Sequence, residues 1–117
     1  MKKILYCATF SLLWALTHVI YAQGVTMIVP GSGKLETSTV KYQCDEDRHM
    51  EITYINKGAN TLAIIPVEKD AILVFAGAIS ASGARYTANE YQWSTKDTEG
   101  MLTSEITQKT IRCHESK

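Results

Sequence analysis

Two serines and two histidines in the middle and end of this chain invite a nucleophilic reading. Ser80 and Ser82 lie in the run Ser80-Ala81-Ser82-Gly83, and His49 and His114 could act as bases. A hydrolase needs its nucleophile activated by a base that a third group orients. Neither serine stands in G-x-S-x-G, and each histidine sits near a cysteine, where an exposed structural residue is the simpler reading. Metal ligation draws on Cys44, His49, Cys113 and His114, but their spacing fits no zinc pattern. Gly31-Ser32-Gly33-Lys34 lacks the G-x-x-x-x-G-K-[ST] spacing of a phosphate loop and precedes no helix. The acidic residues are scattered. None of these patterns points to an enzyme, a metal centre or a cofactor.

The address is clearer. Met1-Lys2-Lys3 is followed by an apolar stretch from Ile4 to Leu16, with Ala22 before Gln23, the layout of a signal peptide over residues 1–22. The apolar stretch is shorter than the roughly 20 residues a permanent anchor needs. Tyr6 precedes Cys7 where bacterial lipidation needs a small residue, so no lipid anchor is expected. Cleavage after Ala22 leaves 95 of the 117 residues and a net charge of −2, with histidines neutral. That charge is no footprint for a nucleic-acid binder, which calls for a clustered basic surface. The 45% hydrophobic content with only 2 Pro and 7 Gly fits one small globular domain.

Cys44 and Cys113 remain as an even pair in an exported chain, for which a disulfide is the default and free thiols or a metal pair the alternatives. By the chain-entropy model, closing so long a loop contributes roughly 4 kcal/mol. For a domain of this size that is a large share of the net stability.

Residues 23–38 are Gly-, Ser- and Thr-rich without a stable period, and read as a flexible N-terminal arm. From residue 39 to 117, β signals dominate. Val40, Tyr42 and Cys44 alternate with polar neighbours, as do Met50, Ile52 and Tyr54. Asp45-Glu46-Asp47, Asn56-Lys57-Gly58-Ala59-Asn60 and Glu68-Lys69-Asp70 are turn chemistry. Leu62 to Val67, Ile72 to Phe75, Glu90 to Ser94, Met101 to Thr103 and Gln108 to Cys113 complete the strands. Pro66 marks a strand end or an edge. Short strands at this spacing predict an all-β fold, a small antiparallel barrel of about eight strands whose closure removes exposed edges. The expected core is Tyr42, Ile52, Leu62, Ile64, Leu73, Phe75, Tyr91, Trp93 and Ile111. Buried Tyr and Trp then need hydrogen-bond partners for their polar tips.

Residues 80–96 carry three spaced elements: Ser82-Gly83-Ala84-Arg85-Tyr86, Tyr91-Gln92-Trp93 and Thr95-Lys96. Together with the Tyr42-x-Cys44 start, the Ala59-Asn60 turn and the terminal Cys113, they resemble the MliC/PliC family of bacterial inhibitors of c-type lysozyme, over roughly Tyr42 to Cys113. The resemblance implies a disulfide-stapled β-barrel that is not an enzyme, uses no cofactor, and has c-type lysozyme as its protein partner. It implies a loop that enters the enzyme cleft, with the family serine and lysine falling on Ser82 and Lys96. Gly83 lets the backbone approach closely. Tyr86 either braces the loop or packs on the partner. Arg85 is a third loop candidate, opposed by the positive charge of the target.

Two positions depart from the family pattern. Asp97 stands where the family has glycine, and Ser94 where it often has a second tryptophan. The expected location is the periplasm of a Gram-negative bacterium, in the soluble branch of the family. An exported module binding a glycan or another envelope ligand is the alternative.

Overall fold

In the computed structural model, residues 26–117 are described; the proposed signal peptide and the segment just after it lie outside them. Eight antiparallel strands follow one another: β1 (Glu36–Cys44), β2 (His49–Lys57), β3 (Asn60–Glu68), β4 (Ala71–Ala78), β5 (Ala84–Ala88), β6 (Tyr91–Lys96), β7 (Glu99–Ser104) and β8 (Thr110–Glu115). Each pairs with the next, and β1 pairs with β8, so the sheet closes into an up-and-down barrel. Closure leaves no free edge to template aggregation. Successive connections alternate between two ends. The β2–β3, β4–β5 and β6–β7 turns share one end, and the other four connections share the opposite one.

The disulfide joins the first strand to the last. Cys44 and Cys113 are directly opposed in the β1–β8 ladder, with Cα atoms 4.0 Å apart. It thus clamps the seam where the barrel closes and where the chain is farthest from itself in sequence. Both sulfurs are in this bond, so neither serves as a thiolate ligand for a metal.

The core is aromatic and aliphatic: Tyr42, Met50, Ile52, Ile65, Phe75, Trp93 and Leu102 are buried, with Leu73, Tyr86, Tyr91 and Ile111 partly buried against them. Trp93 and Tyr42 meet edge to face, ring centroids 5.1 Å apart. Their polar tips are satisfied inside the barrel. Trp93 Nε1 donates to the Tyr54 hydroxyl at 2.9 Å, and the Tyr42 and Tyr54 hydroxyls share a 2.9 Å hydrogen bond. Burial pushes the Tyr42 hydroxyl far above the ordinary phenol range and raises that of Tyr54 as well.

Strand β3 corrects the sequence reading. Ala63, Ile65 and Val67 fill the barrel, whereas Leu62 and Ile64 point outward. Ile64 is opposed by the half-exposed Val74, and Pro66 by the exposed Ile72. Because the outer face of β3–β4 is also apolar, the sequence there has no alternation from which to read the phase. Pro66 is not on an edge; the ladder shifts register between Pro66 and Glu68, which accommodates its missing N–H. Strand β5 is five residues long and alternates Ala84, Tyr86 and Ala88 with Arg85 and Thr87; with Tyr86 its one large apolar residue, alternation alone did not mark it. Strand β1 begins at Glu36, so residues 36–38, assigned to the arm from sequence, pair with Asn56, Ile55 and Tyr54. Ahead of it, the buried Val29 accepts a hydrogen bond from Lys57 Nζ (3.1 Å), and Pro30 accepts one from Asn60 Nδ2 (2.8 Å).

Candidate functional site

The β4–β5 connection, residues 79–83, is held by the Ser80 hydroxyl donating to the Ser82 carbonyl at 2.7 Å. Its last residue, Gly83, has φ +69°, which L side chains adopt only with strain. Ala84 then pairs with Thr95, carrying the loop onto the β6–β7 hairpin. At Gly83 the two backbones meet. A Cβ there would overlap the Thr95 carbonyl oxygen and lie 3.3 Å from the Cα of Lys96. A residue with no side chain is therefore what allows the serine loop to rest on the lysine strand.

Ser82 and Lys96, fourteen positions apart in sequence, line one surface cavity of about 230 Å³. Both are exposed. Ser94, Thr95, Glu99, Gly100, Met101 and Arg112 complete its wall. Cross-strand register explains the grouping: Ser94 faces Met101, which faces Arg112, while Lys96 faces Glu99 across the 97–98 turn. Arg112 Nη1 lies 3.5 Å from Met101 Sδ, and its backbone N–H donates to Asp45 Oδ2 at 3.0 Å. Ser94, small where the family often has tryptophan, accepts a hydrogen bond from Gln92 Nε2 and keeps its side of the cavity low.

Lys96 has no carboxylate within 4.0 Å; the ion pair found among the described residues is Lys109 with Glu46. The cavity thus offers a hydroxyl and an unpaired ammonium side by side, with Arg112 adding positive charge and Glu99 negative. No histidine lines it, so the two groups that chemistry would need beside Ser82 are not assembled there.

The other candidates separate. Arg85 lies on the outer face of β5, opposite Ser94 and Ala78, and its Nε is buried without an acceptor. It does not line the cavity. Tyr86 turns inward, opposite Trp93, with its ring 5.6 Å from that of Tyr54; burial raises its hydroxyl pKa. This contact ties β5, just after the serine loop, to the aromatic core. Asp97, in the family glycine's place, has φ +54°. Aspartate is among the few non-glycine residues that adopt this region with modest strain.

Glu99, Met101 and Arg112 were not singled out from sequence. Glu99 was findable, because a two-residue turn at 97–98 places it opposite Lys96. Arg112 comes from β8, and the register of the β7–β8 pairing sets it opposite Met101.

The comparisons with known proteins bear on this geometry. The family model described as "Membrane-bound lysozyme-inhibitor of c-type lysozyme" (MliC) matches residues 42–110, more than half of the chain. The chain belongs to the MliC family. A membrane-bound lysozyme inhibitor of C-type lysozyme from Pseudomonas aeruginosa is 46% identical over 81 residues, covering 69% of this chain and 64% of that protein. A protein of the same description from Cupriavidus necator is 36% identical over 67 residues, 57% of this chain and 53% of that protein. This MliC-family chain therefore spans less than two thirds of either relative's length.

The crystal structure of P. aeruginosa MliC in complex with hen egg white lysozyme superposes with a TM-score of 0.75 at 41% identity, covering 81% of this chain and 98% of that one. The eight-stranded barrel is thus the fold of an MliC protein. Both curated relatives are named membrane-bound; the residues on which the soluble-branch reading depends lie outside the described ones.

Proposed function

We propose that this chain inhibits c-type lysozyme by placing the Ser82 hydroxyl and the Lys96 ammonium in the enzyme's active-site cleft. The single observation that carries the reading is the convergence of Ser82 and Lys96 on one cavity, with Gly83 seated against Thr95 between them. Membership of the MliC family and likeness to an MliC in complex with lysozyme support it.

The chemistry is complementary. A c-type lysozyme works with two carboxyl groups, one a protonated donor with a raised pKa and one ionised. An occupant of that cleft must offer donors to the ionised group and an acceptor to the protonated one. A serine hydroxyl does both, and a lysine ammonium supplies three donors. An exposed ion pair contributes little, but the same pair desolvated and hydrogen-bonded contributes well over about 1 kcal/mol. Tyr86 serves as a brace that holds β5 on the core, and Arg85 sits at the flank of the contact.

The protein acts in the envelope of a Gram-negative bacterium, where it protects peptidoglycan. The Tyr6-Cys7 order supports export to the periplasm without a lipid anchor. The net charge of −2 aids encounter with a cationic enzyme, an effect that weakens as salt rises. The test is a titration of hen egg white lysozyme acting on cell walls with the purified 23–117 chain. Inhibition near one-to-one stoichiometry is the expected result. An unchanged rate would instead leave a module for another envelope ligand, and turnover of cell wall without lysozyme would mark an enzyme.

A further inference from the structure

The opposite end of the barrel holds a second cavity, of about 300 Å³, that shares no residue with the first. Its floor is apolar, formed by Val67 and Leu102, each 3% exposed, and the half-buried Ile111. Its rim is charged, with both signs represented. Glu90 from the β5–β6 turn accepts a 2.9 Å hydrogen bond from the buried Ser104 hydroxyl through Oε2. Glu68 at the end of β3 accepts one from the Tyr91 hydroxyl, 3.1 Å, through Oε1. In each case one oxygen is fixed by a neutral donor while the other has no side-chain partner, and no cation neutralises either carboxylate within 4.0 Å among the described residues. Two cations line the same mouth. Arg48 uses Nη2 on the carbonyl of Pro66, two residues from Glu68, at 2.5 Å, which leaves most of its guanidinium donors unused. Lys109 is paired with Glu46 at 3.5 Å.

We infer that this mouth is a second binding site, for a small zwitterion of dipeptide size with a free ammonium, a free carboxylate and short apolar side chains. The ammonium meets the open oxygens of Glu90 and Glu68. The carboxylate meets Arg48 in a charge-assisted, two-donor contact. The side chains lie on Val67 and Leu102. The volume sits at the lower bound of small-molecule pockets, which suits two residues of a peptide. The opposed charges on one apolar floor favour a ligand that carries both signs over a simple cation or a neutral sugar. The cavity lies at the far end of the barrel from Ser82, because successive connections alternate between the two ends.

The experiment is a titration of the isotope-labelled 23–117 chain with dialanine bearing free termini, followed by NMR. N-acetyl-dialanine amide is the control. Saturable shifts are expected at Arg48, Glu90, Leu102 and Ser104, with half-saturation below about 1 mM, the weak end of specific binding. The capped peptide is expected to leave them unmoved. Glu90→Gln and Arg48→Met should each weaken dialanine at least about tenfold, with circular dichroism unchanged. Two variants of opposite charge keep the test open should one of them unfold. Absence of saturation by about 10 mM, equal binding of the capped peptide, or shifts confined to the Ser82 end would each overturn the assignment.

Discussion

Gly83 lies so close to the carbonyl of Thr95 that no side chain fits between them, and the Cα of the next residue, Lys96, would be 3.3 Å from a Cβ at that position. The loop that carries Ser82 and the strand that carries Lys96 are therefore fixed to one another by backbone contact. Gly83→Ala adds a methyl group into occupied space at φ +69°. The left-handed conformation alone costs an alanine about 1–2 kcal/mol. Thermal unfolding should show a loss of at least that size. Lysozyme inhibition should fall by more than the loss of stability accounts for, because the loop must move off the hairpin.

Ser82→Ala and Lys96→Ala remove the proposed donors without touching the core, since both side chains are exposed. Each should raise the inhibition constant about tenfold or more, on the order of 1.4 kcal/mol. The far-ultraviolet circular dichroism spectrum should be unchanged. Inhibition at the parental level by both variants would show that other residues make the contact.

Asp97→Gly restores the family residue at φ +54°. Relief of the left-handed conformation should raise stability, by no more than about 1 kcal/mol given how well aspartate tolerates it. Removing a carboxylate beside Lys96 should also tighten inhibition, most visibly at low salt. Calorimetry and an inhibition titration at two ionic strengths read the two effects separately.

The barrel and its staple were legible because alternation, regular turns and an even cysteine pair all point the same way. Tyr42, Ile52, Phe75 and Trp93 fell on the buried face as expected. Leu62 and Ile64 did not, since β3 is apolar on both sides and period two has no phase to reveal. Of the candidate site, Ser82 and Lys96 were marked by the family resemblance, and both line one cavity; their contact with lysozyme is the proposal. Arg85 shared that motif and lies on the outer face of β5 opposite Ser94, without lining the cavity itself. Arg112 was not marked because its place opposite Met101 depends on the register of the β7–β8 pairing, which the strand pattern leaves open.

The interior tyrosines give a pH signature. Burial, and for Tyr42 also its hydrogen bond to Tyr54, holds both hydroxyls protonated above their ordinary range. A raised folded-state pKa means full stability below about pH 10, the unfolded value. Above it the unfolded chain loses protons that the native protein keeps, so stability falls as pH rises. Tyr42 alone gives a slope of about 1.4 kcal/mol per pH unit there. Urea midpoints from neutral pH to about 9 should show no tyrosine-linked decline, with a fall above pH 10. Tyr54→Phe should lower stability by about 1–3 kcal/mol by orphaning Trp93 Nε1.

The most direct measurement is the crystal structure of the 23–117 chain bound to hen egg white lysozyme. Ser82 Oγ and Lys96 Nζ are expected within about 3 Å of the enzyme's two catalytic carboxyl groups, the range of charge-assisted hydrogen bonds. A substrate cleft left open, with the barrel attached to some other surface of the enzyme, would contradict it.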